Sequence, residues 1–131
     1  MPWTDSEQNS GFWDIRAVGP VAQTIPTLET NPGTIAASGT WDSGVVLSDG
    51  FRVIGVGVTS SQAGNLSVQR YLDPAGTVAQ GAGESAALSA GAPAVVNVTD
   101  GKPFAAFRIT VSNSAASAAD ITGFAVLMCA A

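Results

Sequence analysis

Hydrophobic and polar residues alternate along several stretches of the chain with the two-residue period of a β-strand. In residues 65–72 the apolar or long side chains fall on one face, and the hydroxyl, amide and phenol side chains fall on the other, which predicts a half-exposed strand. In residues 104–112 the alternation assigns four side chains to the core: Ala105, Phe107, Ile109 and Val111. Because no stretch shows a convincing helical period, the pattern predicts an all-β chain.

Three further stretches are predicted to be strands on composition. Residues 51–59 are β-branched and apolar but contain Gly55 and Gly57, which favours a strand that is buried on both faces or closely approached by another backbone. Residues 93–99 and the apolar closing stretch 121–128 are the other two. The alternating and the composition-based stretches together predict short strands throughout the second part of the chain.

Turn residues separate these strands. Asp73, Pro74 and Gly76 occupy the positions of a β-turn that they favour, so residues 77–80 are expected to pair back as a hairpin. The dipeptide Asp100–Gly101 predicts a second hairpin, between residues 93–99 and 104–112. Glycines favour a loop over 82–92, and small residues favour another over 113–120.

The spacing of strands and turns predicts one antiparallel β-sandwich of six to eight short strands over residues 34–131. Immunoglobulin-like and jelly-roll topologies both fit this spacing. A chain of 131 residues is long enough for one core of this kind.

Residues 1–33 differ from the rest, because they hold four of the seven prolines and show no periodicity. They also hold the large aromatic residues Trp3, Phe12 and Trp13, a class in which disordered segments are poor. We therefore predict an extended N-terminal arm over 1–33, with these three residues as anchors that bind a partner.

Composition limits the chemistry available to the chain. It has no histidine, and Cys129 is its one cysteine, so the usual general acid–base and metal-binding residues are missing. The match of residues 81–86 to a dinucleotide-binding glycine pattern lacks the strand–turn–helix context, and the aspartates form no calcium-loop spacing. We expect no enzyme activity, no cofactor and no metal, with Cys129 a buried apolar side chain.

Charge and hydropathy bear on the partners. A net charge of −5, with five scattered basic residues, opposes binding to nucleic acid or to an anionic membrane. No apolar run reaches the ~18 residues of a membrane span, and the N-terminal residues do not resemble a signal peptide. Only 11% of the residues are charged, and the abundance of small neutral residues suits contact with protein. The single cysteine favours synthesis in a cytoplasm.

Two aromatic residues within the sandwich have alternative interpretations. Trp41 and Phe51 are expected to fill the core between the sheets. Alternatively, Trp41 and Tyr71 could form a platform on which a sugar stacks, as in a carbohydrate-binding domain.

The last hundred residues resemble a β-sandwich module of tailed-bacteriophage virion proteins, which include capsid decoration, fibre and tail-tip proteins. The resemblance rests on segments in order along the chain: Gly39-Thr-Trp41, Phe51 to Thr59, Gly64-Asn-Leu-Ser-Val-Gln69 leading to Asp73-Pro-Ala-Gly76, and Phe107-Arg-Ile-Thr-Val-Ser-Asn-Ser114 with the alanine-rich loop and closing strand. The family pattern Tyr-Phe-Arg reads Ala106-Phe107-Arg108 here, so no role of that tyrosine is carried over.

The resemblance implies a virion structural protein that assembles in the host cytoplasm, often as a homotrimer. We expect a capsid decoration, or cement, protein whose arm binds the major capsid protein or another virion protein and stabilises the shell. The alternatives are a tail or fibre module that recognises a host glycan through loops such as 113–120, and a carbohydrate-binding domain unrelated to any virus.

Overall fold

The computed structural model describes residues 22–24 and 32–129, which form ten β-strands and no helix. In chain order these strands are β1 (Ala22–Thr24), β2 (Thr34–Ile35), β3 (Thr40–Asp42), β4 (Val46–Leu47), β5 (Val53–Ser60), β6 (Gly64–Tyr71), β7 (Glu84–Leu88), β8 (Pro93–Val98), β9 (Ala106–Asn113) and β10 (Ala119–Cys129). The predicted all-β fold class is confirmed. In the described part of the chain, no helix has the length and apolarity needed to cross a membrane.

The strands form two antiparallel sheets that pack face to face. Sheet 1 has the order β1-β10-β5-β8, and β2 pairs with β10 farther along the edge that β1 occupies. Sheet 2 has the order β3-β9-β6-β7, and β4 pairs with β9 beside β3. If β1 with β2, and β3 with β4, are each counted as one interrupted strand, the sandwich has eight strands, within the predicted range.

The strand pairing resolves the topology that the sequence left open. In this count of eight, the first strand (β1 with β2) pairs with β10, and the second strand (β3 with β4) pairs with β9. Strand β5 pairs with β8, and β6 pairs with β7. These pairs fall alternately in sheet 1 and sheet 2, as they do when one long antiparallel ribbon is wrapped around a barrel. This arrangement is the jelly roll and not the immunoglobulin fold.

The core lies between the two sheets and is made by alternate residues of the long strands. Phe107, Ile109 and Val111 of β9 are fully buried, as the alternation predicts, whereas Ala105 lies before the strand and is only half-buried. In β6 the predicted inward face is also confirmed for Leu66, Val68 and Arg70. Leu72 lies beyond the end of the strand and is exposed, so its predicted inward position is wrong.

Two local predictions are wrong because longer-range pairing decides the structure. Residues 100–101 do not join a hairpin: β8 belongs to sheet 1 and β9 to sheet 2, so the chain crosses between the sheets there. Residues 77–80 do pair back on the end of β6, as predicted, through the Tyr71–Ala79 bridge and through hydrogen bonds from the amides of Leu72 and Gln80 to the carbonyls of Val78 and Arg70. Farther along the same edge of β6 lies Glu84–Leu88. That segment, predicted to be loop, is strand β7.

The turn at residues 73–76 forms as predicted. The amide of Gly76 donates to the carbonyl of Asp73 at 3.2 Å, and Gly76 has a positive φ. The Asp73 carboxylate accepts hydrogen bonds from the Thr77 hydroxyl and from the Val78 and Thr77 amides, which lowers the pKa of this acid. Asp73 is therefore used within its own turn.

Candidate protein interface

The predicted anchors Trp3, Phe12 and Trp13 lie outside the described residues. The described part of the predicted arm before Pro32 is β1, whose residues pair antiparallel with the end of β10 in the register Ala22–Cys129 to Thr24–Leu127. The arm thus joins the sandwich as an edge strand of sheet 1.

The outward face of sheet 1 carries no charged residue in the region where β8, β5 and β10 pair side by side, over residues 93–97, 53–59 and 123–129. Because residues in register point to the same side of an antiparallel sheet, the pairing fixes which side chains share this face. We call it the glycine face; it consists of Val53, Gly55, Gly57 and Thr59 of β5, Gly123, Ala125, Leu127 and Cys129 of β10, and Pro93, Val95 and Asn97 of β8.

The centre of the glycine face is a shallow groove. Gly55 and Gly57 leave the middle strand without side chains, while Val95 and Leu127 on the neighbouring strands are 54% and 41% exposed. A Cβ atom added at either glycine would meet no atom closer than 3.5 Å, so nothing from this chain's described residues fills the groove. The sequence favours burial of strand 51–59 on both faces or close approach by another backbone. Among the described residues neither holds at Gly55 and Gly57, because the core covers one face of the strand and the other face is only half-buried.

The outward face of sheet 2 has a different chemistry. Its side chains are mostly hydroxyls and amides, with one ion pair between Arg108 and Asp42 at 3.3 Å. Ser67 and Thr110 are hydrogen-bonded to each other across β6 and β9. This face lacks the open apolar groove of sheet 1, and one of its buried polar atoms, Nε of Arg108, has no hydrogen-bond partner among the described residues.

A buried arginine closes one end of the sandwich. Arg70 is 5% exposed and donates two hydrogen bonds to Asp100, at 2.7 Å and 2.8 Å, from the loop that crosses between the sheets. Glu84 lies 4.0 Å away, and the guanidinium carbon is 5.6 Å from the centre of the Phe104 ring. The hydrogen bonds to Arg70 lower the pKa of Asp100 to about 2, and the same pairing raises the pKa of Arg70.

This ion pair lines an open cleft of about 420 Å³, together with Gln80, Glu84 and Lys102. The planar Arg70 side chain is fully engaged by the Asp100 carboxylate, which is the geometry of a structural clamp. No group of three or more metal-binding side chains occurs in residues 22–24 and 32–129. We therefore assign the pair a role in joining the sheets.

The aromatic residues of the sandwich are divided between its faces. Trp41 is in register with Val111, which is a core residue, and its ring packs edge-on against Phe124 at 5.3 Å between the centroids. Tyr71 is in register with Ala106, on the opposite side of sheet 2. The two rings cannot form one sugar-stacking platform. Phe51 is buried, as expected, whereas Trp41 is half-buried at the core margin.

A second apolar cluster lies at the end of sheet 2. Val45 and Leu47 of the β4 region and Leu72 and Val78 of the 71–79 turn are all exposed, and Val45 packs against the backbone of Gly76.

Cys129 is half-buried beside β1, so it is less buried than predicted. Sequence reasoning missed the glycine face, although the two-residue spacing of Gly55 and Gly57 was its available signal.

Comparison with known proteins gives fold similarity alone. No protein-family model matches the chain, and no curated protein sequence matches it. Among solved structures it is similar to the PBSX exported protein XepA, with 15% identity and a TM-score of 0.54 over 85% of this chain. The chain spans 37% of the XepA chain. It is also similar to PirA, with 15% identity and a TM-score of 0.49, over 88% of this chain and 99% of PirA.

Proposed function

We propose that this chain is a phage virion structural protein, a capsid decoration or cement protein that binds the outer shell through its N-terminal arm and stabilises it. The observation that carries the proposal is the way in which the arm joins the sandwich. Strand β1 fixes residues 22–24 at an edge of sheet 1, directly after the segment that holds Trp3, Phe12 and Trp13. The sandwich is then a rigid body, and the segment before it supplies the adhesive side chains.

The fold and the composition support this role. The chain is similar in fold to the PBSX exported protein XepA, and its last hundred residues resemble virion modules. Its low charge and its open glycine face suit a protein that works by contact with other proteins. In this proposal the chain is not an enzyme, needs no cofactor, acts on the virion and assembles as a homotrimer.

The arm contributes through apolar burial. Each large aromatic side chain stabilises a contact by about 1.5–3 kcal/mol when it is fully buried. Loss of all three therefore predicts a fall of about three orders of magnitude or more in affinity for the shell. Many copies on one particle would multiply the effect of each weak contact.

The test is co-sedimentation of purified protein with undecorated capsid shells of its phage. Two variants remove the anchors: a truncation of residues 1–21, which keeps β1, and the triple change Trp3→Ala, Phe12→Ala and Trp13→Ala. The control triple Ser6→Ala, Gln8→Ala and Ser10→Ala alters the same arm without loss of an aromatic ring. We expect the control to bind and both anchor variants to remain in the supernatant as folded protein. Shell binding that survives in both anchor variants would contradict the proposal.

The glycan-binding alternatives gain no support from the described residues. The loop at 113–120 is held by Asn113, whose side-chain amide donates to the carbonyls of Ile35, Ala36 and Ser117, and the exposed side chains of the loop are small. The expected aromatic pair, Trp41 and Tyr71, lies on two different faces. A glycan array on the wild-type chain tests these alternatives directly.

A further inference from the structure

We infer that the glycine face is the surface through which copies of this chain contact one another. The inference deepens the self-assembly that forms part of the proposed function and rests on it, because it names the surface through which copies meet; it requires neither a shell nor the arm anchors. Its occupant is another copy of the chain, argued from charge, shape and area.

The charge distribution favours a like partner at this face. Each copy carries a net charge of −5, so most approaches of two copies are repulsive. None of the eleven residues of the glycine face is charged, so contact there buries no charge and opposes no like charges. This is the region of sheet 1 on which two copies can meet without bringing their acidic residues together.

The shape of the face is complementary to itself. The groove over Gly55 and Gly57 is flanked by the exposed side chains of Leu127 and Val95. Sheets pack face to face at a separation of ~10 Å, a distance at which one side chain from each sheet fills the space between them. Leu127 or Val95 of one copy therefore fits the groove of another, and each copy offers both the groove and the side chains.

The area sets the strength of the contact. Three strands spaced ~4.8 Å apart and seven residues long at ~3.3 Å per residue present roughly 300 Å² of sheet plane. Stable interfaces bury about 800 Å² on each partner. We therefore expect reversible association, visible as a mass that rises with concentration.

The test is light scattering after size-exclusion chromatography over a wide range of protein concentration. Val95→Lys places a charge on the glycine face, and Ser85→Lys places the same charge on the exposed outward side of β7 as a matched control. We expect wild type and Ser85→Lys to show the same rise in mass, and Val95→Lys to stay a monomer. Leu127→Lys on β10 is a second variant in case Val95→Lys fails to fold, which circular dichroism would show.

Two results would overturn the inference. One is a wild-type chain that is monomeric at every concentration; the other is a Val95→Lys or Leu127→Lys variant that folds and associates like wild type. Association that disappears on truncation of residues 1–21 but survives these lysines would assign the contact to the arm instead. Because shell binding is measured separately, failure here leaves the arm proposal standing, and failure of shell binding leaves this one standing.

Discussion

Arg70 is the clearest case of one residue that joins distant parts of the molecule. It faces the core from β6, and its charge is balanced by Asp100, thirty positions along the chain in the crossing between the sheets. A buried guanidinium without its carboxylate would be strongly unfavourable, because the charge would lose its partner and stay out of solvent. Stable folding therefore requires that the segment 99–103, which crosses between the sheets, holds Asp100 beside Arg70.

This pair predicts a specific dependence of stability on pH. The pKa of Asp100 is lowered from 3.8 to about 2 in the folded chain, so its pairing stabilises the fold at pH values above 3.8. That stabilisation is lost as the pH falls from about 4 toward 2, because in this range the unfolded chain binds a proton at Asp100 and the folded chain does not. Urea unfolding at several pH values should show wild type more stable than Asp100→Asn at neutral pH, with the difference disappearing across this range.

The control for this measurement is Asp49→Asn, which makes the same change in an exposed turn. It should differ little from wild type over the same range. Equal stability of wild type and Asp100→Asn at neutral pH would show that the clamp does not hold the sheets together.

Gly64 predicts a second effect at the residue scale. A Cβ atom added there would lie 1.9 Å from the carbonyl oxygen of Ser112, a backbone atom of the neighbouring strand. At Gly55 an added Cβ atom has its nearest neighbour at 3.5 Å. We expect Gly64→Ala to lower the free energy of unfolding by about 1–3 kcal/mol or more, because β6 and β9 must separate.

Gly55→Ala makes the same chemical change in another strand. It should leave stability unchanged or raise it by about 0.4–1 kcal/mol, since it restricts the unfolded chain without a clash. Denaturant unfolding of both variants measures the contrast. Similar losses at the two positions would show that the close approach at Gly64 is not what selects glycine there.

At the scale of elements, β1 links the arm to the sandwich through backbone pairing with β10. Ala22 is directly opposite Cys129, and opposed Cα atoms in antiparallel strands are ~4.5–5.5 Å apart, within the range of a disulfide. We predict that Ala22→Cys forms a disulfide with Cys129 under oxidising conditions. The disulfide would close a loop of roughly 100 residues. Chain entropy alone gives an upper limit of ~4–5 kcal/mol for the stabilisation from a loop of this length.

A non-reducing gel reads out this prediction and also its alternative. A crosslinked band at the mass of one chain shows that β1 pairs within its own copy, as the structure has it. A band at the mass of two chains would show that β1 is exchanged between copies. Thr24→Cys is the control. It lies opposite Leu127, two residues before Cys129 in β10, and should therefore crosslink poorly to Cys129.

The elements that the sequence predicts well are those whose pattern is local. The alternation in 65–72 and 104–112 locates β6 and β9 to within two residues at each end, and it places Arg70 on the inward face although it is charged. Strand β7 escapes prediction because Gly81 and Gly83 precede a small-residue segment of low β-propensity, and only its place beside β6 makes it a strand. Tertiary pairing overrides local preference there.

At the scale of the whole molecule, the sequence predicts the sandwich but not its topology. A jelly roll and an immunoglobulin fold use the same short strands and differ in which distant strands pair. The hairpin predicted at Asp100–Gly101 is wrong for this reason, because a dipeptide that favours a hairpin turn also favours a turn between two sheets. The position of the arm anchors stays a prediction, and the glycine face became visible only when three strands far apart in the chain were placed side by side.

The pairing of β1 with β10 also determines how the molecule would respond to mechanical load. If the arm is held while the sandwich is pushed away along the direction of β1, the three residue pairs from Ala22 to Thr24 are sheared together and share the force. If the push is perpendicular to that strand, the Ala22–Cys129 pair is loaded first and the others then open in turn. The attachment is therefore stronger to tension along β10 than to peeling across it.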